Sequence, residues 1–281
     1  MTPRTFALFL AQTPGIGGRT IARILARNLL LHRSPDLFLG LSSEAWIEEY
    51  RLSSTMADNL RRQVLGGMRK LEAYERRLTG LGVELVVSTD AHYPARIEQF
   101  DPEPPGILFL YGNQRLLQGR TFCVLASRMS TPAQLEQIET SAERGVLAGD
   151  VLVSSHDRIE YQRSAIVPLR WGAPRILALD RGLFQVLGDD LKNEAFRAAR
   201  LWRYEFDPTT DLVLSPFRPE AGFVGVNNQV RDRLVASLSD RLHFIHVSPG
   251  GGMDRLRRLA IKAGREVTED ATPEPAGGSA S

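Results

Sequence analysis

The chain of 281 residues has a single cysteine, Cys123, so no internal disulfide can form, and this usage fits a reducing cytoplasm. It has no apolar run near the roughly 20 residues that a membrane-crossing helix requires. Its opening residues, MTPRTFALFLAQTPGIG, hold a short apolar run without a convincing small-residue cleavage site, and they are expected to be folded protein and not a signal peptide. Excess charge is small as well. The 35 basic and 33 acidic residues leave +2, so any affinity for nucleic acid must come from local patches. The histidines His32, His92, His156, His243 and His246 show no metal-ligand spacing, and with one cysteine a zinc site is not expected. Aromatic residues make up only 7%, which limits platforms for stacking bases.

What is present is ordinary globular composition, 43% hydrophobic and 24% charged, arranged in two styles. Residues 5 to about 80 read as helical. Ile21, Ile24, Leu25 and Leu29 recur at helical spacing after Thr13-Pro14-Gly15-Ile16-Gly17, and a second amphipathic segment runs from Met56 to Leu78. From Val83 onward short apolar runs begin: Val83–Val87, Ile107–Leu110, Phe122–Leu125, Val151–Val153, Ile176–Leu179, Leu212–Leu214 and Leu242–Val247. Helix-like stretches separate several of them, at Pro132–Arg144, Arg158–Trp171, Asp189–Arg200, Asn227–Leu238 and Asp254–Ala263. Alternating strands and helices predict an α/β fold, a Rossmann-like and mostly parallel sheet with helices on both faces. The expected division is a small all-helical domain over residues 1–80, the Rossmann-like domain over 81–268, and a disordered Pro/Gly/Ser-rich tail over 269–281.

Two strand-to-helix turns have the form that suits an anion. A helix N-terminus offers unpaired backbone N–H groups and the positive end of the helix dipole. At Ala126-Ser127-Arg128, with Ser130 just beyond, hydroxyl, guanidinium and amides can converge on a phosphate; a plain polar turn is the alternative. At Pro249-Gly250-Gly251-Gly252 the glycines permit close backbone approach, unless they serve only as a flexible loop. The Gly15-Ile16-Gly17 turn has the shape of a helix-hairpin-helix, with Arg19, Arg23 and Arg27 along one face of the next helix; a packing turn with a solvated arginine face is equally open. Arg255, Arg258, Lys262 and Arg265 form a basic stripe opposite Leu256 and Leu259, suited to a nucleic-acid backbone or simply to water. Arg231 and Arg233 add charge upstream. Ser154-Ser155-His156-Asp157 holds the residue types of a catalytic triad, but triads assemble from distant residues, so a polar loop is the better reading. No catalytic residue and no cofactor is expected.

Taken in order, these segments resemble the DNA-processing protein A family (DprA/Smf) from Thr5 to about Val267. The matching pieces are the TPGIG turn, Tyr93-Pro94, Pro104-Pro105 with Leu108-Phe109-Leu110-Tyr111-Gly112-Asn113, Ala126-Ser127-Arg128 with Ser130, and Arg231-Asp232-Arg233-Leu234-Val235-Ala236-Ser237-Leu238-Ser239. The resemblance implies a homodimeric, cytoplasmic accessory protein that binds single-stranded DNA and helps load a RecA-type recombinase in natural transformation, recombination or repair. It implies phosphate contacts at Ser127, Arg128, Ser130, Arg231, Arg233 and Gly250, Gly251, Gly252. Secondary candidates are Gly15, Gly17, Arg19, Arg23, Arg255, Arg258 and Lys262. The chain departs from the family pattern where glycine is replaced by Ala126, Ser155 and Ile159, where asparagine becomes Asp232, and where Ala165 stands in place of a histidine. It also ends without the winged-helix domain of many members.

Two other functions compete with DNA binding. The Pro249–Gly252 loop is similar to that of the lysine-decarboxylase-like (LOG) phosphoribohydrolases, which would make the chain a binder or hydrolase of a nucleotide-like molecule. Only Asp254 can stand for their glutamate. The third function is a protein-interaction scaffold with a decayed site. Near the motifs in sequence, only Phe217, Phe223 and Trp171 offer rings to a base.

Overall fold

The computed structural model describes residues 1–66 and 69–270. Six helices come first: α1 (Pro3–Gln12), α2 (Gly18–Leu30), α3 (Pro35–Leu39), α4 (Ser43–Tyr50), α5 (Ser54–Leu65) and α6 (Arg69–Gly80). Thr2, Ser34, Ser42 and Ser53 start four of them, each side-chain oxygen accepting from a backbone N–H in the first turn. The amphipathic stretch Met56–Leu78, read as one segment, is divided between α5 and α6. Phe38 centres this region, with its ring 5.3 Å from Phe6 and 4.8 Å from Tyr50, both edge-on.

The rest builds one sheet: β1 (Glu84–Val87), α7 (Ala95–Phe100), β2 (Ile107–Gly112), β3 (Thr121–Ala126), α8 (Pro132–Leu147), β4 (Val151–Ser154), α9 (Ile159–Trp171), β5 (Arg175–Ala178), α10 (Leu183–Leu187), β6 (Leu212–Ser215), α11 (Asn227–Ser237), β7 (Arg241–His246), α12 (Gly252–Lys262) and β8 (Glu266–Glu269). The strand order is β1-β2-β6-β5-β4-β3-β7-β8. Pairing is parallel from β6 through β8 and antiparallel where β2 meets β1 and β6. The fold is therefore α/β and Rossmann-like, with an antiparallel extension at one edge.

Both faces of the sheet are covered, which is why its strands read as unbroken apolar runs. Phe122 and Val124 pack with Ile138 and Ala142 of α8, whereas Cys123 and Leu125 pack with Leu234 of α11 and Leu256 of α12. The helical opening shares its core with the sheet, as Phe9 and Ile21 join Ile107, Phe109 and Val213 in one cluster. The contact is backbone to backbone at Gly106, whose N–H donates to the Gly18 carbonyl at 2.9 Å. A Cβ on Gly106 would lie 2.6 Å from the Ala22 Cα.

Two expectations need correction. Residues Asp189–Arg200 are not a helix: Leu191 is left-handed at φ 59, Asn193 bridges to Glu205, and only a 3-10 turn, Arg197–Leu201, follows. The reason is a buried charge cluster. Arg175, fully buried, pairs with Glu194 and with Asp211, and Arg203 pairs with both acids, so Glu194 is pulled inward where a helix would point it elsewhere. The short α10 stands before this segment. β8 also takes in Glu269, where the disordered tail was expected to begin, and the Asp270 N–H donates to the Phe244 carbonyl at 3.1 Å. The remainder of that tail lies outside the described residues.

No helix among the described residues is long and apolar enough to cross a membrane. Cys123 is fully buried, and burial pushes its thiol up to about 12. The folded protein should therefore resist a thiol-reactive dye at about pH 8 and react only on denaturation, because the thiolate is the attacking form. Rapid stoichiometric labelling of the native protein would contradict this placement.

Candidate nucleic-acid interface

The sheet has a switch point. From β3 the chain steps outward through β4, β5 and β6, then returns to lay β7 on the other side of β3. The C-terminal ends of β3 and β7 thus feed connections that diverge, which is where open α/β sheets form their binding crevice. Ser127 and Ser248 follow these two strands. The Ser127 N–H donates to the His246 carbonyl at 2.7 Å, and the Ser248 N–H donates to the Ser127 hydroxyl at 2.9 Å. Ser127 therefore stitches the two lips together and spends its acceptor on the protein itself.

Beyond it, Arg128 is exposed and carries no ion pair among the described residues. Met129 turns the chain at φ 65 with its side chain in solvent. The amides that follow are already engaged. The Ser130 N–H points to Glu160 Oε1 at 3.4 Å, and Thr131 closes α8 with a capping box through Gln134. Glu160 is buried and held by Arg158 Nε at 3.4 Å.

The glycine turn is occupied in the same way. Gly250, left-handed at φ 71, donates its N–H to Asp254 Oδ2 at 3.0 Å. That hydrogen bond, followed by one from Arg257, holds the Asp254 carboxyl below its usual range. Arg258 completes the group at 3.1 Å from the same carboxylate, and Arg255 donates to the Gly250 carbonyl at 3.1 Å. Asp254 is thus a structural anchor of its own loop and is not free for general acid-base work.

Arg231, read from the sequence as a phosphate ligand, is fully buried with all its donors engaged. Nε donates to Asp232 at 2.8 Å, one terminal nitrogen to Ser155 at 2.8 Å and to Asp157, and the other to Asn228 at 3.1 Å and to Asp157. Its guanidinium carbon sits 4.5 Å from the centre of the Tyr161 ring, and the Tyr161 hydroxyl donates to Asp232 at 2.6 Å. Burial, and then the charge of Asp232, holds the Tyr161 hydroxyl well above its ordinary value, so it remains a donor. For Arg231, burial pulls the guanidinium down, but Tyr161, Asp232 and Asp157 outweigh it and the net direction is up. Beside this knot, His156 Nε2 lies 3.1 Å from Asp180 Oδ1, a buried pair with no serine hydrogen-bonded to the imidazole among the described residues. Ser154 instead bonds the Tyr161 carbonyl and Ser164, and Ser155 bonds Asp157.

The open surface lies to one side of this crest, with the acids Glu103 and Asp232 beside its arginines. A hollow of about 330 Å³ runs from the Gly15–Arg19 turn to the N-terminus of α11, past Phe217. A second, of about 240 Å³, lies between α11 and α12 against Gly252 and Arg255. Gln229 and Arg233 line both, so the two form one trough. Three helices begin on it, α2 after Gly17, α11 after Val226 and α12 after Gly251, and none has a side-chain cap. Arg19 pairs with Glu103 at 3.0 Å, both half-exposed, and Arg233 pairs with Asp101 at 3.2 Å.

The structure thus brings Gly15, Gly17, Arg19, Arg233, Gly252 and Arg255 together, and keeps Ser127, Arg128, Ser130, Gly250 and Gly251 on the neighbouring lips. Arg23 turns away to the Arg51 carbonyl, Arg258 is drawn to Asp254, and Lys262 stands at the far end of α12. Of the acids that fill the two turns, Asp254 lies only four residues after Gly250, but Glu160 could not be found by motif, because it is 30 residues from its partner Ser130.

No protein-family model matches the chain, and no curated protein matches it in sequence. Solved structures do. DNA processing protein A (DprA) from Streptococcus pneumoniae superimposes with a TM-score of 0.70 over 98% of this chain and 88% of that one, at 16% identity. The chain has the DprA fold. DprA from Helicobacter pylori matches with a TM-score of 0.51, covering 68% of this chain and 82% of the other at 17% identity, in a structure that gives insight into that protein's single-stranded DNA binding mode. The coverage of the DprA fold extends through the helical opening as well as the sheet.

Proposed function

We propose that this chain is a non-catalytic DprA-type protein that binds single-stranded DNA, with the phosphates held along the trough rather than inside the crest. The observation that carries the reading is the trough itself. It joins the hairpin turn of the helical module, residues 1–80, to the glycine turn of the sheet, residues 81–268, through three uncapped helix starts and three arginines. Amides at helix starts and guanidinium groups contact phosphate without reading sequence. Nucleotide hydrolysis is disfavoured because Asp254, its one candidate, is held by Gly250, Arg257 and Arg258. In this reading the protein acts as a cytoplasmic homodimer that passes DNA to a RecA-type recombinase during transformation, recombination or repair.

Fluorescence anisotropy of a labelled oligonucleotide across a salt series tests the proposal. Binding should weaken with a log-log slope of about −0.7 per phosphate neutralised. Arg255→Ala and Arg19→Ala should each lower affinity several-fold and flatten that slope, and Arg128→Ala should do less. Absence of binding at low salt would sink the reading. Loss confined to Arg128→Ala would move the strand back to the crest.

A further inference from the structure

A second surface, at the C-terminal end of α9, has the chemistry of a base-stacking platform. α9 descends from the crest and ends at Trp171, where it packs against the Arg197–Leu201 turn. Trp171 and Trp202 are each half-exposed, Tyr204 is 79% exposed and Leu201 is 87% exposed. The third tryptophan, Trp46, is fully buried, so both solvent-facing tryptophans lie here. The rings are held in place. Arg170 sits 5.5 Å from the centre of the Trp202 ring and is fixed by Glu139 at 2.8 Å, while the Trp171 indole N–H donates to Glu143 at 3.0 Å.

The charge around these rings selects an anion. Arg197 and Arg200 are exposed and carry no ion pair among the described residues. Of the acids that face the patch from α8, Glu139 is paired with Arg163 and Arg170, while Glu143, bonded to the neutral Trp171 indole, keeps its charge, as does the exposed Glu205; the four arginines Arg163, Arg170, Arg197 and Arg200 outnumber these three acids. Exposed planar rings interleaved with unpaired guanidinium groups fit a polyanion that also carries flat faces. Two half-exposed, pinned indoles beside Leu201 are otherwise a costly surface to keep wet.

We propose that Trp171, Trp202 and Tyr204, with Arg197 and Arg200, form a second contact for single-stranded DNA, on which bases stack while the trough holds phosphates. The proposal rests on the single-strand reading above but concerns a separate surface. The trough is lined by α11 and α12, whereas the platform lies beside α8 and α9 on the other face of the sheet, so a short oligonucleotide fills the trough alone and only a long one reaches both.

The test uses labelled oligothymidylates of two lengths, read by anisotropy and by intrinsic tryptophan emission. The long strand should quench the emission, because Trp171 and Trp202 lie under its bases. Trp202→Ala with Tyr204→Ala should lower affinity for the long strand about tenfold and leave the short strand unchanged. Arg255→Ala should weaken both. Full-strength binding of the long strand with unquenched emission and an indifferent double variant overturns the platform and leaves the trough standing. Binding by neither length overturns both. A dimer that dissociates on Trp202→Ala, with no quenching by DNA, assigns the patch to a protein contact and overturns the inference. The quenching arm needs no variant, so a poorly folding double substitution does not shield the proposal.

Discussion

Arg231→Ala is expected to lower stability by about 3–5 kcal/mol, because it strips the partner from charges held inside the crest. Asp157 and Asp232 flank the guanidinium, with side chains only 11% and 17% exposed, and neither has another cation within ion-pairing distance among the described residues. The substitution also removes the donor to Ser155 and the cation over Tyr161. For a chain of this size the loss corresponds to a fall in Tm on the order of 10 °C, measurable by calorimetry. Arg231→Met combined with Asp157→Asn and Asp232→Asn should recover most of it, since no unpaired charge is then buried. A stable Arg231→Ala protein that has lost only DNA binding would show that the arginine is a ligand after all.

Gly106→Ala is expected to destabilise by about 2–3 kcal/mol through overpacking that only backbone movement can relieve. An added methyl would press on Ile21 and Ala22 of α2, and its neighbours there are main-chain atoms. The helix would have to lift, which breaks the bond from the Gly106 N–H to Gly18 and displaces the Gly15–Arg19 wall of the trough. DNA affinity should fall together with stability. Gly80→Ala gives the contrast, since nothing lies within 4 Å of the new methyl at the end of α6. There the same change should be neutral or stabilise by about 0.4–1 kcal/mol through the unfolded chain. Equal denaturation midpoints for the two variants would refute the close packing of α2 on Gly106.

The parallel strands were legible because both of their faces are buried, so Phe122–Leu125 and Ile176–Leu179 read as apolar runs with no polar alternation to obscure them. The false helix at Asp189–Arg200 has a long-range cause. Arg175 and Asp211 lie on either side of it in sequence, and no local pattern announces that Glu194 will be drawn to them. The glycine turns were legible for the same reason that they matter, namely that glycine adopts the left-handed Gly250 conformation without strain. Arg231 reads as a ligand in sequence and packs as a keystone in three dimensions because one of the acids that hold it, Asp157, lies 74 residues away. Phe217 lines the trough and is close to the motifs in sequence, whereas Trp202 and Tyr204 are distant from them and gather at the far end of α9 only in the fold.

On the proposed reading, the carboxylates of Glu160 and Asp254 bear on which ligands the crest can accept. Seats already taken by the protein's own side chains leave little for free inorganic phosphate or a mononucleotide to win, even at cellular concentrations. A polymer is different, because it adds many weak contacts along one chain and each bound residue raises the local concentration of the next. The protein would then discriminate by length before it discriminates by chemistry, ignoring the abundant monomers of the cell and responding to strands.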